Sequence, residues 1–202
     1  MFFLSRTFQR TFSTFQSTFS TFQGTLPTPD LVRPQSTLLL AEHDNSRLSP
    51  VTLYAITLAG QLGGEVHCLV AGTGCGEVVK ELVAAPGIAK VLLADNAAYK
   101  DFLPEQLAPV MISAQSRFKF SHIVAGASTF SHSVMFPVAA LLDVPVIPNI
   151  MWAKDADTFV RMVYGSNAVL TLKSVDPVKM MTLLMAPATT CTCDSCRELL
   201  ER

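Results

Sequence analysis

Apolar runs alternate with segments of helical period from residue 37 to residue 150, and this alternation constrains the fold more than any other feature. Between the runs, apolar residues recur every three or four positions, as Val51, Tyr54, Leu58 and Leu62 do. Strands that are apolar throughout and separated by helices of about 10 to 15 residues are typical of a parallel sheet covered on both faces. The predicted strands span residues 37–41, 65–71, 90–94, 122–125 and 146–150, and the predicted helices begin at Pro50 and span 76–85, 104–118 and 133–142.

The pattern changes after residue 158, where strands and turns follow one another without helices. Residues 159–164 and 168–173 flank the sequence Gly-Ser-Asn, which predicts a β-hairpin. Residues 178–184 are expected to add a third antiparallel strand. The predicted fold class is therefore α/β, a three-layer α/β/α parallel sheet of nucleotide-binding type with a C-terminal antiparallel hairpin extension, in one domain over residues 37–185.

The first 36 residues differ in composition from the rest. Residues 1–24 contain Arg6 and Arg10 but no Asp, Glu or Lys, and TFSTFQ occurs twice in succession. An amphipathic, Ser-rich and Arg-bearing segment without acidic residues is typical of a mitochondrial presequence, and prolines at 27, 29 and 34 predict a linker. The alternative is a low-complexity tail with an accidental periodicity. The phenylalanines that would share one helical face are Phe8, Phe12, Phe15, Phe19 and Phe22.

Charge and hydropathy exclude several classes of function. The formal net charge is -1, and no basic cluster indicates nucleic-acid binding. The longest apolar stretches are too short to span a bilayer, so we expect no membrane span. Cys191, Cys193 and Cys196 crowd the C-terminal residues 186–202, which fit no predicted domain. Three thiolates at this spacing suit zinc or copper, but no fourth ligand lies nearby, so an unstructured tail is the alternative.

Polar and glycine-rich segments follow three predicted strands, at the edge where parallel α/β sheets bind ligands. Residues 72–76 (GTGCG) and 126–129 (GAST) could present backbone N–H groups to a phosphate, although neither matches a dinucleotide fingerprint or a P-loop. His43, Asp44 and Ser128 are the residues from which a hydrolase triad would have to be built. No nucleophile elbow surrounds Ser128, and helix capping is the simpler role for these side chains.

Several strings, in order over about 145 residues, resemble the N-terminal domain of the electron transfer flavoprotein alpha subunit. They are residues 35–43 (QSTLLLAEH), 62–66 (LGGEV), 68–73 (CLVAGT), 87–92 (GIAKVL), 125–128 (AGAS), 138–140 (VAA) and 157–161 (DTFVR). Tyr164, Asn167 and Ala168 continue the last of these matches. Two departures stand out: residues 136–137 (FP) replace the family's usual Pro-Arg, and residues 148–149 (PN) replace Ser-Asp.

The resemblance implies a heterodimer of alpha and beta subunits in the mitochondrial matrix. Such a complex accepts electrons from acyl-CoA and other dehydrogenases in fatty acid beta-oxidation and passes them to a membrane quinone oxidoreductase. Its FAD lies mainly on a second alpha domain, while the first alpha domain is a cofactor-free platform packed against beta. The match ends near residue 180, so we expect a truncated or alternatively spliced chain without the FAD-binding domain.

No catalytic, cofactor-binding or metal residue of this chain matches a family motif. The chain is expected to be an electron-carrier subunit, not an enzyme, and not to bind FAD alone. Arg161, Tyr164 and Asn167 are the candidate contacts to the beta subunit, with hairpin packing as the alternative. A stand-alone adenine-nucleotide-binding module and a non-functional fragment remain as rival hypotheses.

Overall fold

The computed structural model describes residues 35–164 and 167–184. The predicted presequence, the linker up to residue 34 and the three tail cysteines lie outside the described residues. The elements in chain order are β1 (Ser36–Leu40), α1 (Pro50–Gln61), β2 (Glu65–Gly72), α2 (Gly76–Ala84), β3 (Lys90–Asp95), a 3-10 turn (Ala97–Tyr99), α3 (Pro104–Phe118), β4 (His122–Gly126), α4 (Thr129–Leu142), β5 (Val146–Ala153), β6 (Thr158–Val163), β7 (Ala168–Lys173) and β8 (Lys179–Leu183).

The strands form one eight-stranded sheet in the order β3-β2-β1-β4-β8-β5-β6-β7. All neighbours from β3 through to β5 pair in parallel, whereas β6 pairs antiparallel with both β5 and β7. The α/β class, the parallel sheet and the antiparallel extension are thus confirmed.

The expectation that the last strand extends the antiparallel part is wrong. β8 lies inside the sheet, parallel to β4 on one side and to β5 on the other. Met180 and Met181 point to opposite faces and are both fully buried, as is expected of a strand covered on both sides. Because the connection from β7 is short, the sequence suggests that β8 pairs with β7 in a meander. Burial of both faces of β8 instead requires a position in the middle of the sheet.

Apolar side chains cover the two faces of the sheet in two separate cores. One core packs α3 and α4 against Leu38, Ile123 and Met180. The other packs α1 and α2 against Leu39, Val124 and Met181, together with Phe159 of β6. Neighbouring strand residues therefore serve opposite cores, which explains why the strands read as unbroken apolar runs.

The helix starts follow local sequence signals to different degrees. α1 begins at Pro50, which suits the first helical position because its missing N–H has no partner there in any helix. α4 begins at Thr129, four residues before the predicted start, because the Ser128 hydroxyl accepts a hydrogen bond from the Ser131 amide and caps the helix. Among the described residues, no helix is long and apolar enough to cross a bilayer.

Candidate functional site

The carboxyl edge of the sheet holds the position at which α/β proteins of this topology bind ligands. The chain leaves β1 toward β2 on one side and reaches β4 on the other side, so the strand order reverses between β1 and β4. The loops after β1, β2 and β4 converge at this switch point, where a nucleotide is expected to bind.

The crevice beside Gly126 is filled by Val51. A Cβ atom added to Gly126 would collide with Cγ1 of Val51 and would lie 3.3 Å from its Cβ. Glycine is required here because the first turn of α1 packs directly on the end of β4. The Thr52 hydroxyl fixes that turn, since it accepts from the Glu42 amide at 2.9 Å and donates to the Glu42 carbonyl at 3.0 Å. The first turn of α1 therefore occupies part of the space at the switch point.

The glycine-rich loop after β2 uses its backbone donors internally. The Thr73 amide donates to Oδ1 of Asn45 at 3.1 Å, and the Gly74 amide donates to Oδ1 of Asp95 at 3.0 Å. The Thr73 hydroxyl donates to the Asn96 carbonyl at 3.0 Å. A phosphate would need these same N–H groups and would meet the Asp95 carboxylate beside them. The loop is a strand-to-helix turn in which the Thr73 and Gly74 amides are already taken.

Three side chains converge on Gly72, the last residue of β2. A Cβ atom there would overlap Oδ1 of Asn45 and would approach Sγ of Cys75 to 2.6 Å and Cε1 of His43 to 2.9 Å. Asn45 has φ 67, a left-handed backbone conformation that asparagine adopts more readily than most residues. This conformation lets its amide oxygen reach across to the loop of residues 72–76.

The residues considered for a hydrolase triad serve separate local roles. Nδ1 of His43 accepts a hydrogen bond from the Asn45 amide at 3.1 Å, and its ring packs edge-on against Phe102. Burial lowers the pKa of His43, although the Asp44 carboxylate and the Ala71 carbonyl oppose that shift. Asp44 accepts from Ser46 and Arg47 of its own loop, and these hydrogen bonds lower its pKa to about 2. Ser128 caps α4, so the described contacts do not assemble a triad.

The two cysteines of the described residues are buried in the core. Cys68 lies in the middle of β2, and burial raises its thiol pKa to about 12. Burial, with a contribution from the Asp95 carboxylate, also raises the pKa of Cys75. No group of three His, Cys, Asp or Glu side chains within residues 35–164 and 167–184 is placed to hold a metal ion. Neither thiol has the electropositive, accessible surroundings of a reactive cysteine.

The antiparallel extension presents the three candidate contact residues. Tyr164 lies at the end of β6 with 83% of its surface exposed, and its carbonyl accepts from the Asn167 amide at 3.3 Å. Arg161 is half-buried between Ile150 and Leu170 in the strand register, and its Nε atom has no hydrogen-bond partner among the described residues. Leu170, on the neighbouring edge strand β7, is 45% exposed. The structure thus places Arg161 on β6 and Tyr164 directly after it, with Asn167 following across the turn.

The amino ends of β4 and β8 carry a polar cluster that no sequence motif predicts. Nε2 of His122 donates to the Ala156 carbonyl at 2.7 Å, and Nζ of Lys179 lies 2.6 Å from Oδ1 of Asp157. The only sequence signal is the charged or polar residue at the first position of each strand.

These features define an α/β domain of nucleotide-binding topology whose own side chains occupy part of the ligand edge. Comparison with protein families identifies the family to which the chain belongs. The family model described as "Electron transfer flavoprotein domain" matches residues 37–187. The chain belongs to the electron transfer flavoprotein family, and the resemblance drawn from its sequence strings is confirmed.

Individual relatives agree with the family match. The probable electron transfer flavoprotein subunit alpha, mitochondrial, of Caenorhabditis elegans is 43% identical over 150 residues, which is 74% of this chain and 45% of that relative. The subunit alpha of Pseudomonas aeruginosa is 40% identical, over 72% of this chain and 47% of the relative. The mitochondrial subunit alpha of Dictyostelium discoideum is 38% identical, over 72% and 43% respectively. The chain therefore spans less than half the length of these relatives.

Proposed function

We propose that residues 37–185 form the platform domain of an alpha-type electron transfer flavoprotein subunit, and that the domain acts by pairing with a beta subunit. Membership of the family and the relatives named subunit alpha support an electron-carrier role. The observation that carries the proposal is the packing of Val51, Asn45 and Asp95 at the carboxyl edge of the sheet. A domain of nucleotide-binding topology whose own side chains occupy part of the ligand edge is suited to act as a scaffold.

The described residues do not fit a flavin. FAD would bring a pyrophosphate to the switch point, where the Thr73 and Gly74 amides are taken and Asp95 adds negative charge. Val51 occupies the space beside Gly126 that the cofactor would enter. We propose that the flavin of the complex is held outside these residues, and that this domain contributes no catalytic group to electron transfer.

The same packing argues against a stand-alone adenine-nucleotide-binding module. Adenine nucleotides would need the donors that Asn45 and Asp95 already occupy. Titration calorimetry with ATP and with AMP tests this directly, and flat traces are expected from the wild-type chain. Saturable heat with either nucleotide would favour the rival function.

The antiparallel extension is the proposed surface for the beta subunit. Among residues 35–164 and 167–184, no helix makes an extensive contact with β7, and Tyr164 and Leu170 leave apolar surface uncovered next to it. Aromatic and arginine side chains contribute strongly to protein interfaces, because they bury a large area and retain hydrogen-bonding groups. Arg161 fits this role, since it lies half-buried on β6 within the same extension.

Location and electron flow are proposed from the relatives. Two of them are named mitochondrial, and the composition of residues 1–24 agrees with that location. We propose the mitochondrial matrix as the compartment. There the complex would receive electrons from acyl-CoA and other dehydrogenases and pass them to a quinone oxidoreductase.

Co-purification with the beta subunit tests the proposed function. The chain is co-expressed with a tagged beta subunit, and the complex is resolved by size-exclusion chromatography with light scattering. A one-to-one complex is expected, and Tyr164→Ser or Arg161→Ala should weaken it by at least about tenfold, because interface anchors of this type carry more than 1.4 kcal/mol.

Val83→Ser is the matched control for these variants. Val83 is 70% exposed on α2, far from the extension in the sheet order. The control variant should bind beta as the wild type does. Absence of any complex with the wild-type chain would contradict the proposed function, and equal loss in all three variants would contradict the choice of surface.

A further inference from the structure

β5 leaves the plane of the parallel sheet through two irregularities. Its register with β8 shifts between Ile147 and Ile150, and its register with β6 shifts between Ile150 and Trp152. Asn149 lies within the first shift with φ 59, and its amide donates to the Thr182 hydroxyl at 3.0 Å. Bulges of this kind bend a strand and increase its twist. The second half of β5 and the strands after it therefore diverge from the direction of β8.

The bend brings the turn between β5 and β6 over one face of the sheet. Val124 and Met181 belong to the same core as Phe159, so they mark that face. His122 and Lys179 precede them by two residues on their strands and hence point to the same side. Their contacts with Ala156 and Asp157 hold the turn against the amino ends of β4 and β8.

Hydrogen bonds connect this turn to two other parts of the domain. The Ser121 hydroxyl lies 2.9 Å from Nδ1 of His122 and 3.0 Å from the Ser36 carbonyl, which links the cluster to β1. The Asp157 carbonyl accepts from the Ser174 amide at 2.9 Å, which links it to the segment between β7 and β8. We call His122, Asp157 and Lys179 the polar clamp.

Burial makes the polar clamp stronger than an ordinary surface ion pair. The Lys179 side chain is only 15% exposed, and Asp157 is 45% exposed. An ammonium group so far withdrawn from water needs its carboxylate partner, because loss of that partner leaves an uncompensated charge. The Lys179 charge in turn lowers the pKa of Asp157. His122 has almost no exposed surface, so its N–H group likewise depends on the Ala156 carbonyl.

We propose that the polar clamp is a positioning device that fixes the orientation of the β6–β7 hairpin and thereby sets the affinity for the beta subunit. The inference rests on the proposed function, because the hairpin carries Arg161 and Tyr164. His122 and Lys179 are positioning residues, since their contacts described above are to the β5–β6 turn and not to Arg161 or Tyr164. If the turn were released, the hairpin would keep its sequence but would populate several orientations. Only one of these orientations would fit the beta subunit.

The test compares variants that break the clamp with variants that preserve it. His122→Leu removes the donor to Ala156, whereas His122→Gln keeps an amide N–H that can reach the same carbonyl. Lys179→Met and Asp157→Asn each remove one charge of the ion pair. Binding to the beta subunit is measured by calorimetry, and hydrogen exchange is measured on each free chain.

Hydrogen exchange on the free chain, without the beta subunit, tests the polar clamp independently of the proposed function. Hairpin amides of β6 and β7 should exchange at least about tenfold faster in Lys179→Met, while amides of β1 and β2 keep their wild-type rates. If the binding-competent orientation falls to about a tenth of the population, the dissociation constant for beta rises about tenfold. His122→Gln should restore both readouts to within about threefold of wild type.

Two results would overturn the proposal. Unchanged hairpin exchange in Lys179→Met and Asp157→Asn would show that the clamp does not restrain the hairpin. Wild-type affinity for beta in all clamp variants would show that hairpin orientation does not control binding. Failure of the wild-type chain to bind beta would instead count against the proposed function, and the exchange measurement would still decide whether the clamp acts.

Discussion

Replacing Gly72 by alanine tests whether the ligand edge is packed as closely as the structure shows. The new methyl group would overlap Oδ1 of Asn45 and lie 2.6 Å from Sγ of Cys75. Oδ1 would have to move, and it could no longer accept from the Thr73 amide at 3.1 Å. Overpacking costs about 1–3 kcal/mol and the lost hydrogen bond about 1 kcal/mol, so the free energy of unfolding should fall by about 2–4 kcal/mol.

Urea denaturation followed by tryptophan fluorescence measures this effect. Trp152 is the single tryptophan of the chain and packs against the core that contains Phe159. With a denaturant dependence of about 1–3 kcal/mol per M, the midpoint of Gly72→Ala should fall by at least about 0.7 M. The variant tests packing alone, since Gly72 does not have the positive φ that would add backbone strain.

Gly60→Ala is the matched control. A Cβ atom at Gly60 meets nothing within 4 Å, and the residue lies inside α1. Alanine should therefore stabilise the chain by about 0.5–1 kcal/mol, because it reduces the backbone entropy of the unfolded state. A Gly72→Ala variant as stable as wild type would refute the claim that the protein's own side chains pack closely at this edge.

Three further predictions concern the core and its titrating groups. Phe159→Ala should lower the free energy of unfolding by about 3–5 kcal/mol, because it empties a fully buried site between the extension and the sheet. Burial lowers the pKa of His122, so the folded state binds fewer protons than the unfolded state. The free energy of unfolding should therefore fall as pH drops below 6.5. This residue contributes at most about 1.4 kcal/mol per pH unit to that fall. Cys68 and Cys75 should not react with a thiol reagent in the native chain once the tail cysteines are serine, since both are buried and have raised pKa values.

Each of these predictions has its own control. Phe136→Ala removes a ring that is 50% exposed and should cost far less than Phe159→Ala. His122→Gln, measured in urea at about pH 7.5 and about pH 5.5, should lose less stability on acidification than wild type; an equal loss would contradict the assignment. Reagent consumption by two thiols is expected only after unfolding, and rapid reaction of the native chain would show that Cys68 or Cys75 is accessible.

The sequence predicted most of the parallel domain because its signals are local. Apolar runs, Pro50 at a helix start and the hairpin turn each depend on a few neighbouring residues. The four-residue error at the start of α4 is of the same local kind, since the capping role of Ser128 was not used to place the helix.

The position of β8 in the sheet could not be predicted from such local signals. Its local pattern is apolar, and an apolar strand fits an antiparallel edge or a buried centre equally well by periodicity. The position of β8 is determined by its pairing with β4 and β5, whose residues are distant from β8 in the sequence. Pairing between distant strands is a tertiary property that no local pattern encodes.

The packing at the ligand edge could not be predicted from sequence patterns either. The glycine-rich loop read as a possible phosphate site because its composition permits one. Two of its amides donate instead to Asn45, in a left-handed conformation one loop away, and to Asp95 at the end of another strand. Arg161, Tyr164 and Asn167 stay predictions, since their role depends on a partner surface.

Sedimentation of the purified chain with and without the beta subunit tests the central claim most directly. Recording both protein and flavin absorbance follows assembly and cofactor in one experiment. We expect the chain alone to sediment without flavin and to join beta in a one-to-one complex. A yellow chain with stoichiometric flavin and no affinity for beta would contradict that claim.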